Sequence, residues 1–144
     1  MSGIIDDELR ETFVAVADIL IPAYGAMPAA STVDVGGAPL DRILTLRDDL
    51  LETFIRGLAA MAGKEPEGAA RALNESDPGA LATIGLVASA AYYMNPRVMQ
   101  LIGYPGQERR PIDPDAPSEY LQDGLLQPVI DRGPIYRPTP EQST

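Results

Sequence analysis

Apolar residues recur at helical spacing along the first two thirds of the chain. Four of them follow one another at four-three-four intervals near the amino terminus: Leu9, Phe13, Val16 and Leu20. This spacing places them on one face of a helix. Ser2 or Asp6 is a suitable cap at its start, and Pro22 stops it. The pattern therefore predicts a first helix that runs to about Ile21.

A second helix is predicted over about Pro39–Ala62, because an apolar stripe continues across this range. Its members are Leu40, Ile43, Leu44, Leu51, Phe54, Leu58 and Met61. Gly63 is a natural helix stop. The preceding segment, Ala23–Pro39, is rich in Gly, Ala, Pro and Ser and has no sustained period. We interpret it as a long loop, which is typical of a functional or a mobile region.

Further helices are predicted after Gly63. A short one covers about Glu65–Asn74, and the next begins with Asp77 as its cap and Pro78 at its first position. This fourth helix runs to Tyr93, and its apolar run, too short for a membrane span, indicates a buried helix. Weaker patterns suggest a short helix at Pro96–Ile102 and one or two turns within Tyr120–Ile130.

No convincing alternating strand and no internal repeat are present in the sequence. The predicted fold class is therefore all-α: a small helical domain of about four to five helices with a long, extended, partner-wrapping carboxyl-terminal tail. We divide this single domain into a helical body, 1–102, and a tail rich in Tyr, Arg and Pro, 103–144.

Charge and hydropathy narrow the classes of partner. The 144 residues carry 21 acidic and 11 basic side chains, a net charge of −10, which disfavours nucleic acid and anionic membrane surfaces. No window approaches the apolar length of a membrane span, so no membrane insertion is expected. The acidic start, MSGIIDDELRETF, has neither a basic leader region nor an Arg-Arg pair. We expect a cytoplasmic protein, with a periplasmic location only if it is exported with a partner or a signal was removed.

The chain contains neither His nor Cys, which removes the commonest general base and every thiolate or imidazole metal ligand. Asp113 and Asp115 resemble part of a calcium loop but are better explained as a turn. The acidic residues of the first helical turn match the helix dipole, and Gly36-Gly37 is interpreted as loop flexibility. Arg109-Arg110 is an anion-binding or an interfacial pair. We predict no catalytic, cofactor-binding or metal-binding residue.

Aromatic residues and arginines concentrate between Tyr92 and Arg137, where regular periodicity fades. Disordered tails are usually poor in aromatics, whereas Tyr and Arg are enriched at interface cores. This segment is therefore predicted to lie against a partner. The predicted partner-binding residues are Tyr92, Tyr93, Tyr104, Arg109, Arg110, Tyr120, Tyr136 and Arg137.

Two stretches resemble the gluconate 2-dehydrogenase small subunit (subunit 3) family: ADILIPA at 17–23 and, more specifically, YYMNPRVMQLIGYPG at 92–106. The resemblance implies a helical, chaperone-like accessory subunit of a heteromeric complex. Its partner would be a large oxidoreductase of the glucose-methanol-choline type that carries FAD and the catalytic residues. Such complexes oxidise carbohydrates and related polyols. The resemblance also implies that the small subunit supports the folding, stability or export of its partner.

The chain departs from that pattern at its start, because many members carry a twin-arginine signal and often work with a haem-containing third subunit. The departure weakens a role in membrane electron transfer and leaves partner stabilisation as the expected function. One alternative is a self-associating helical structural or regulatory protein with no flavoprotein partner. Another is a stand-alone enzyme that uses only carboxylates and Tyr.

Overall fold

Seven α-helices form within the residues that the computed structural model describes, which are 4–109, 114–116 and 122–135. They are α1 (Asp7–Leu20), α2 (Ala38–Leu46), α3 (Leu51–Met61), α4 (Pro66–Ser76), α5 (Pro78–Tyr93), α6 (Pro96–Leu101) and α7 (Gln127–Arg132). Short 3₁₀ turns lie at Ala30–Val33 and Asp48–Leu50. Across these described ranges no β-strand occurs, and one isolated bridge joins Tyr24 to Met27. The predicted all-α class is confirmed.

The helix starts follow the caps expected from the sequence. The Asp6 carboxylate accepts from the backbone N–H of Leu9 at 2.8 Å, and the Asp77 carboxylate accepts from that of Ala80 at 3.0 Å. Each bond satisfies a backbone donor that has no partner inside its helix. Asp6, rather than the alternative Ser2, therefore caps α1.

The predicted second helix is divided in two, because α2 ends at Leu46 and α3 begins at Leu51. Arg47 leaves helical geometry and donates to both carboxylate oxygens of Asp49, each at 2.7 Å. A straight helix over 39–62 would measure about 36 Å, whereas α5 measures about 24 Å. Both α2 and α3 pack against α5, and the break allows this. The single long helix was a wrong prediction for this reason.

The core is centred on α5, which packs against α1, α2, α3, α4 and α6. Phe13 and Phe54 are fully buried and meet edge to face, with ring centroids 5.3 Å apart. Gly57 lets α3 approach α5, since a Cβ there would lie 2.9 Å from Ile84 Cδ1. The buried apolar residues of the described chain all lie between Ile5 and Val98.

The chain separates into two compact units, Met1–Gln107 and Glu108–Thr144. The first contains the core just described. In the second, the described residues include α7, on which Val129 and Ile130 remain exposed. The boundary falls a few residues after the predicted one at 102/103, because the Gly103–Gly106 turn belongs to the first unit. Of the tail predicted to be extended, 103–109, 114–116 and 122–135 are described, and these residues include the helix α7. The rest of the tail lies outside the described residues.

The loop between α1 and α2 is held by hydrogen bonds. Ala30 donates its backbone N–H to Ile21, and Ser31 donates its own to the Asp18 carboxylate at 2.8 Å. The side-chain amide of Asn95 donates to the Val33 carbonyl at 3.0 Å. The sequence offered a functional or a mobile loop, whereas the structure shows a segment that closes part of the core.

Candidate functional site

Of the two adjacent tyrosines at the end of α5, one is buried and the other is exposed. Tyr92 is only 2% exposed, and its hydroxyl donates to the Pro28 carbonyl at 2.7 Å. Burial of the hydroxyl is the larger cause that raises the pKa of Tyr92 above its ordinary value, and the nearby Tyr93 raises this pKa further. Tyr92 is therefore a core residue rather than a surface contact. Tyr93 is 52% exposed, and its ring stands edge-on to that of Tyr92.

Tyr104 lies on an apolar groove at the end of the first unit. Its backbone N–H donates to the Met99 carbonyl at 2.8 Å, and Gly103 and Gly106 have positive φ angles on either side. The ring is about half exposed. The groove encloses about 480 Å³ and is lined by Pro96, Met99, Gln100, Gly103, Tyr104 and Pro105. The Tyr104 ring is therefore a surface residue, and its contact with a partner stays a prediction.

The remaining predicted contacts belong to the second unit. Arg109 is described and exposed. Arg110, Tyr120, Tyr136 and Arg137 lie outside the described residues, and their role stays a prediction. So does the turn assigned to Asp113 and its neighbours, of which only part is described.

Helix α5 presents a surface that was not predicted. Its inward face is fully buried, yet four residues on the opposite side are exposed: Ala82, Leu86, Ser89 and Tyr93. We call these four residues the α5 seam. They recur at four-three-four spacing, which keeps them within one narrow stripe of the helix. Leu86 is 50% exposed. The run indicated a buried helix, but α5 is buried on one side only.

The α5 seam lies on a helix that has no charged side chain. The whole of Pro78–Tyr93 contains no Asp, Glu, Lys or Arg. Gly85 and Ala90 flank the stripe and add no bulk. Leu20, at the end of α1, lies beside Gly85, with its Cδ1 4.0 Å from the position a Cβ would take there. The side chains of Leu20 and Ile19 are 38% and 42% exposed, so α1 adds apolar area to this side of the unit.

A second surface cleft, of about 790 Å³, lies between the amino-terminal half of α1 and the segment 34–41. Arg10 crosses it, donating to the Gly36 carbonyl and to Asp41 Oδ1, the latter at 2.7 Å. A Cβ at Gly36 would lie 2.5 Å from Val14 Cγ2, and one at Gly37 would lie 2.2 Å from Asp34 Oδ2. The sequence predicted that these glycines make the loop flexible, whereas the structure shows that they allow close packing.

The charged groups of the cleft are carboxylates and the Arg10 guanidinium, which is already paired with Asp41. In the described part of the chain, no three His, Cys, Asp or Glu side chains are grouped so that they would hold a metal ion. Within the same ranges, no helix is long and apolar enough to cross a membrane. The α5 seam and the Tyr104 groove are the two exposed surfaces lined by uncharged side chains that we consider as candidate contact surfaces.

The sequence matches no protein-family model, no curated protein and no solved structure. The family resemblance therefore depends on the motifs at 17–23 and 92–106, the apolar second helix, the tail rich in Tyr and Arg, and the order of these elements.

Proposed function

We propose that this chain is a non-catalytic small subunit that binds and stabilises a large FAD-dependent oxidoreductase. The observation that carries the proposal is the exposed, uncharged face of α5. A helix that is apolar all round is normally buried, and α5 is apolar all round. Half of the Leu86 and Tyr93 surface nevertheless faces outward. Covering this face with another protein would remove that apolar surface from water.

The chemistry of the chain supports a binding role. The side chains that the seam and the groove offer are aliphatic, aromatic, hydroxyl and amide groups, which suit contact better than acid–base catalysis. The FAD and the catalytic residues would belong to the partner. The resemblance supplies the kind of partner and its substrates, which are sugars, sugar acids, glycosides or other polyols and alcohols.

The proposed contacts have two parts. Leu86, Tyr93 and Tyr104 form the contact surface of the first unit. Arg109, Arg110, Tyr120, Tyr136 and Arg137 form that of the second. Two contacts on one chain raise the effective concentration of the second once the first has formed. The pair therefore holds the partner more tightly than either contact alone.

Stabilisation follows from mass action. A subunit that binds only the folded partner shifts its folding equilibrium by about 2.7 kcal/mol when present at about a hundred times its dissociation constant. The large subunit expressed alone should therefore be poorly soluble, or should lose FAD and activity on warming.

The proposal is tested by co-expressing this chain with the product of the gene next to its own and purifying through a tag on one partner; a large FAD-dependent oxidoreductase should be retained. Tyr104→Ala and Leu86→Glu should each weaken the complex about tenfold or more, because buried interface anchors contribute about 2 kcal/mol. Leu46→Glu is the matched control, since Leu46 is 70% exposed, lies on α2 and belongs to neither the seam nor the groove.

The Michaelis constant and the turnover of the complexes that still assemble should stay unchanged in these variants. The proposal is wrong if no flavoprotein is retained by the unaltered chain. It is equally wrong if Tyr104→Phe lowers turnover about tenfold with assembly and flavin content normal, since the subunit would then take part in the chemistry.

A further inference from the structure

We propose that the α5 seam is also a self-complementary surface, through which two copies of the free chain pair with their α5 helices antiparallel. This goes beyond the proposed function and does not depend on it. In the complex, the flavoprotein would cover the same face in place of the second copy.

The order of residue sizes along the seam supports this geometry. Reading along α5, the seam residues are small, large, small, large: Ala82, Leu86, Ser89 and Tyr93. Spacings of this kind are those of the contact positions of paired helices. When a second seam runs antiparallel, Tyr93 lies over Ala82 of the other copy, and Leu86 lies over its Ser89. Every layer then joins one large and one small side chain, which allows the faces to interdigitate.

The pairing is two-fold symmetric, with the axis between Val87 and Ala88. Each contact therefore occurs twice, as a closed dimer requires. A parallel alignment in register would instead place Tyr93 on Tyr93 and Ala82 on Ala82, leaving crowded and empty layers in turn. Ala90, the small residue on one flank of the seam, leaves room for the second helix to approach, whereas Leu20 of α1 packs beside Gly85 on the other flank.

Charges on α5 do not oppose contact at the seam, because Pro78–Tyr93 contains no Asp, Glu, Lys or Arg. Each chain nevertheless carries a net charge of −10, so the two copies repel each other at a distance. The four side chains of the seam make a small contact compared with the roughly 800 Å² per partner of a stable interface. The dimer is therefore weak, depends on concentration, and should strengthen with added salt.

The chain contains no cysteine, which makes a crosslinking test specific. Two single variants, Ala82→Cys and Tyr93→Cys, are prepared as full chains and oxidised separately and as a mixture. In the proposed dimer, the two copies of position 82 are about 16 Å apart along the helices, as are those of position 93. A disulfide requires Cα atoms closer than about 7 Å. The mixture should therefore give covalent dimers, and neither variant alone should.

Sedimentation equilibrium of the unaltered chain over a range of concentrations gives the dissociation constant. Leu86→Glu should raise it about tenfold or more, whereas Leu46→Glu, with the same change of charge on an exposed leucine, should leave it within about threefold. The exchange Ala82→Tyr with Tyr93→Ala should restore dimerisation that either single change weakens, because the layers again join one large and one small side chain.

A single molecular mass equal to one chain at every concentration overturns the proposal. Crosslinking of either cysteine variant alone contradicts the antiparallel geometry, and binding of a flavoprotein by a chain that never dimerises assigns the seam to that partner only. Circular dichroism of each variant confirms that the helices are intact, and all the positions changed are exposed.

Discussion

Helices α4 and α5 are built alike at their starts but present opposite surfaces to solvent. Each has an acidic cap, Glu65 or Asp77, followed by Pro at its first position. The outer side of α4 carries Glu67 and Arg71, which form an ion pair at 2.7 Å. The outer side of α5 carries no charge at all. The outer side of α4 therefore has the charged surface of a solvent-facing helix, and the outer side of α5 lacks one.

The inner sides of the two helices, by contrast, are alike, because both contribute buried side chains to the core. Leu73 of α4 is 5% exposed, and Ile84 of α5 is fully buried. The two outer surfaces therefore cannot be distinguished by the stability of the isolated domain, because exposed positions contribute little to it. They differ in what they offer to another protein. Substitutions on the inner and outer sides of α5 separate the effect on folding stability from the effect on binding to another protein.

The largest effect is expected on the inner side of α5. Ile84→Ala should lower the free energy of unfolding by about 2–5 kcal/mol, since it removes buried methyl groups and leaves a cavity. Leu86→Ala, two residues further and half exposed, should change it by no more than about 0.5 kcal/mol. Urea denaturation followed by circular dichroism measures both. Equal losses from the two variants would show that the outer side of α5 is also part of the core.

A smaller effect is expected where α3 meets α5. Gly57→Ala adds a Cβ 2.9 Å from Ile84 Cδ1 and 3.1 Å from the Ala80 Cβ. We expect a loss of about 1 kcal/mol, because the crowding exceeds the gain in helix propensity. Ile84→Val removes the crowded methyl group, so the double variant should be more stable than the sum of the single losses predicts.

The double-mutant cycle for Gly57 and Ile84 should give a coupling free energy of about 0.5 kcal/mol or more. Gly57→Ala combined with Leu73→Ala on α4 serves as the comparison, since Leu73 is absent from the close contacts of Gly57. Additive losses in both cycles would contradict the close packing of α3 on α5.

The smallest effect concerns the two caps. Backbone N–H groups of Gly68 and then Glu67 lower the pKa of Glu65 below its ordinary 4.5. The Ala80 N–H and then the Arg56 guanidinium lower the pKa of Asp77 below 3.8. Because folding lowers both values, the stability that they contribute is complete above the unfolded pKa. It is lost as the pH falls through the folded one.

Asp77→Asn and Glu65→Gln keep an acceptor oxygen at each cap but remove the charge. For each variant, the free energy of unfolding should depend less steeply on pH in the acid range. The number of protons taken up on unfolding should fall by less than one, relative to the unaltered chain. Asp77→Asn also loses its ion pair with Arg56, so its stability near neutral pH should fall slightly more. Thermal melts at neutral and acid pH make the measurement, and unchanged acid profiles would show that neither cap holds its charge.

The predicted contact residues that the structure describes differ in how exposed they are. Tyr93 and Tyr104 are exposed in the first unit, whereas Tyr92 is buried against the loop between α1 and α2. Adjacent residues on a helix point about 100° apart, so two neighbouring tyrosines rarely share one environment. The sequence contained the signal for the seam, a helix of 16 residues without a charge, but which side would stay uncovered was not readable from it.

The all-α class, the starts of α4 and α5 and the proline and glycine stops could be predicted from the sequence, because caps, proline and helical periodicity act over a few residues. For α1 the sequence left two caps open, Ser2 and Asp6. Three further features became clear from the folded chain: α2 and α3 are separate, the loop over 23–37 closes part of the core, and one particular side of α5 faces outward. These features depend on contacts between residues distant along the chain, and such contacts select among conformations that local preferences leave nearly equal in free energy.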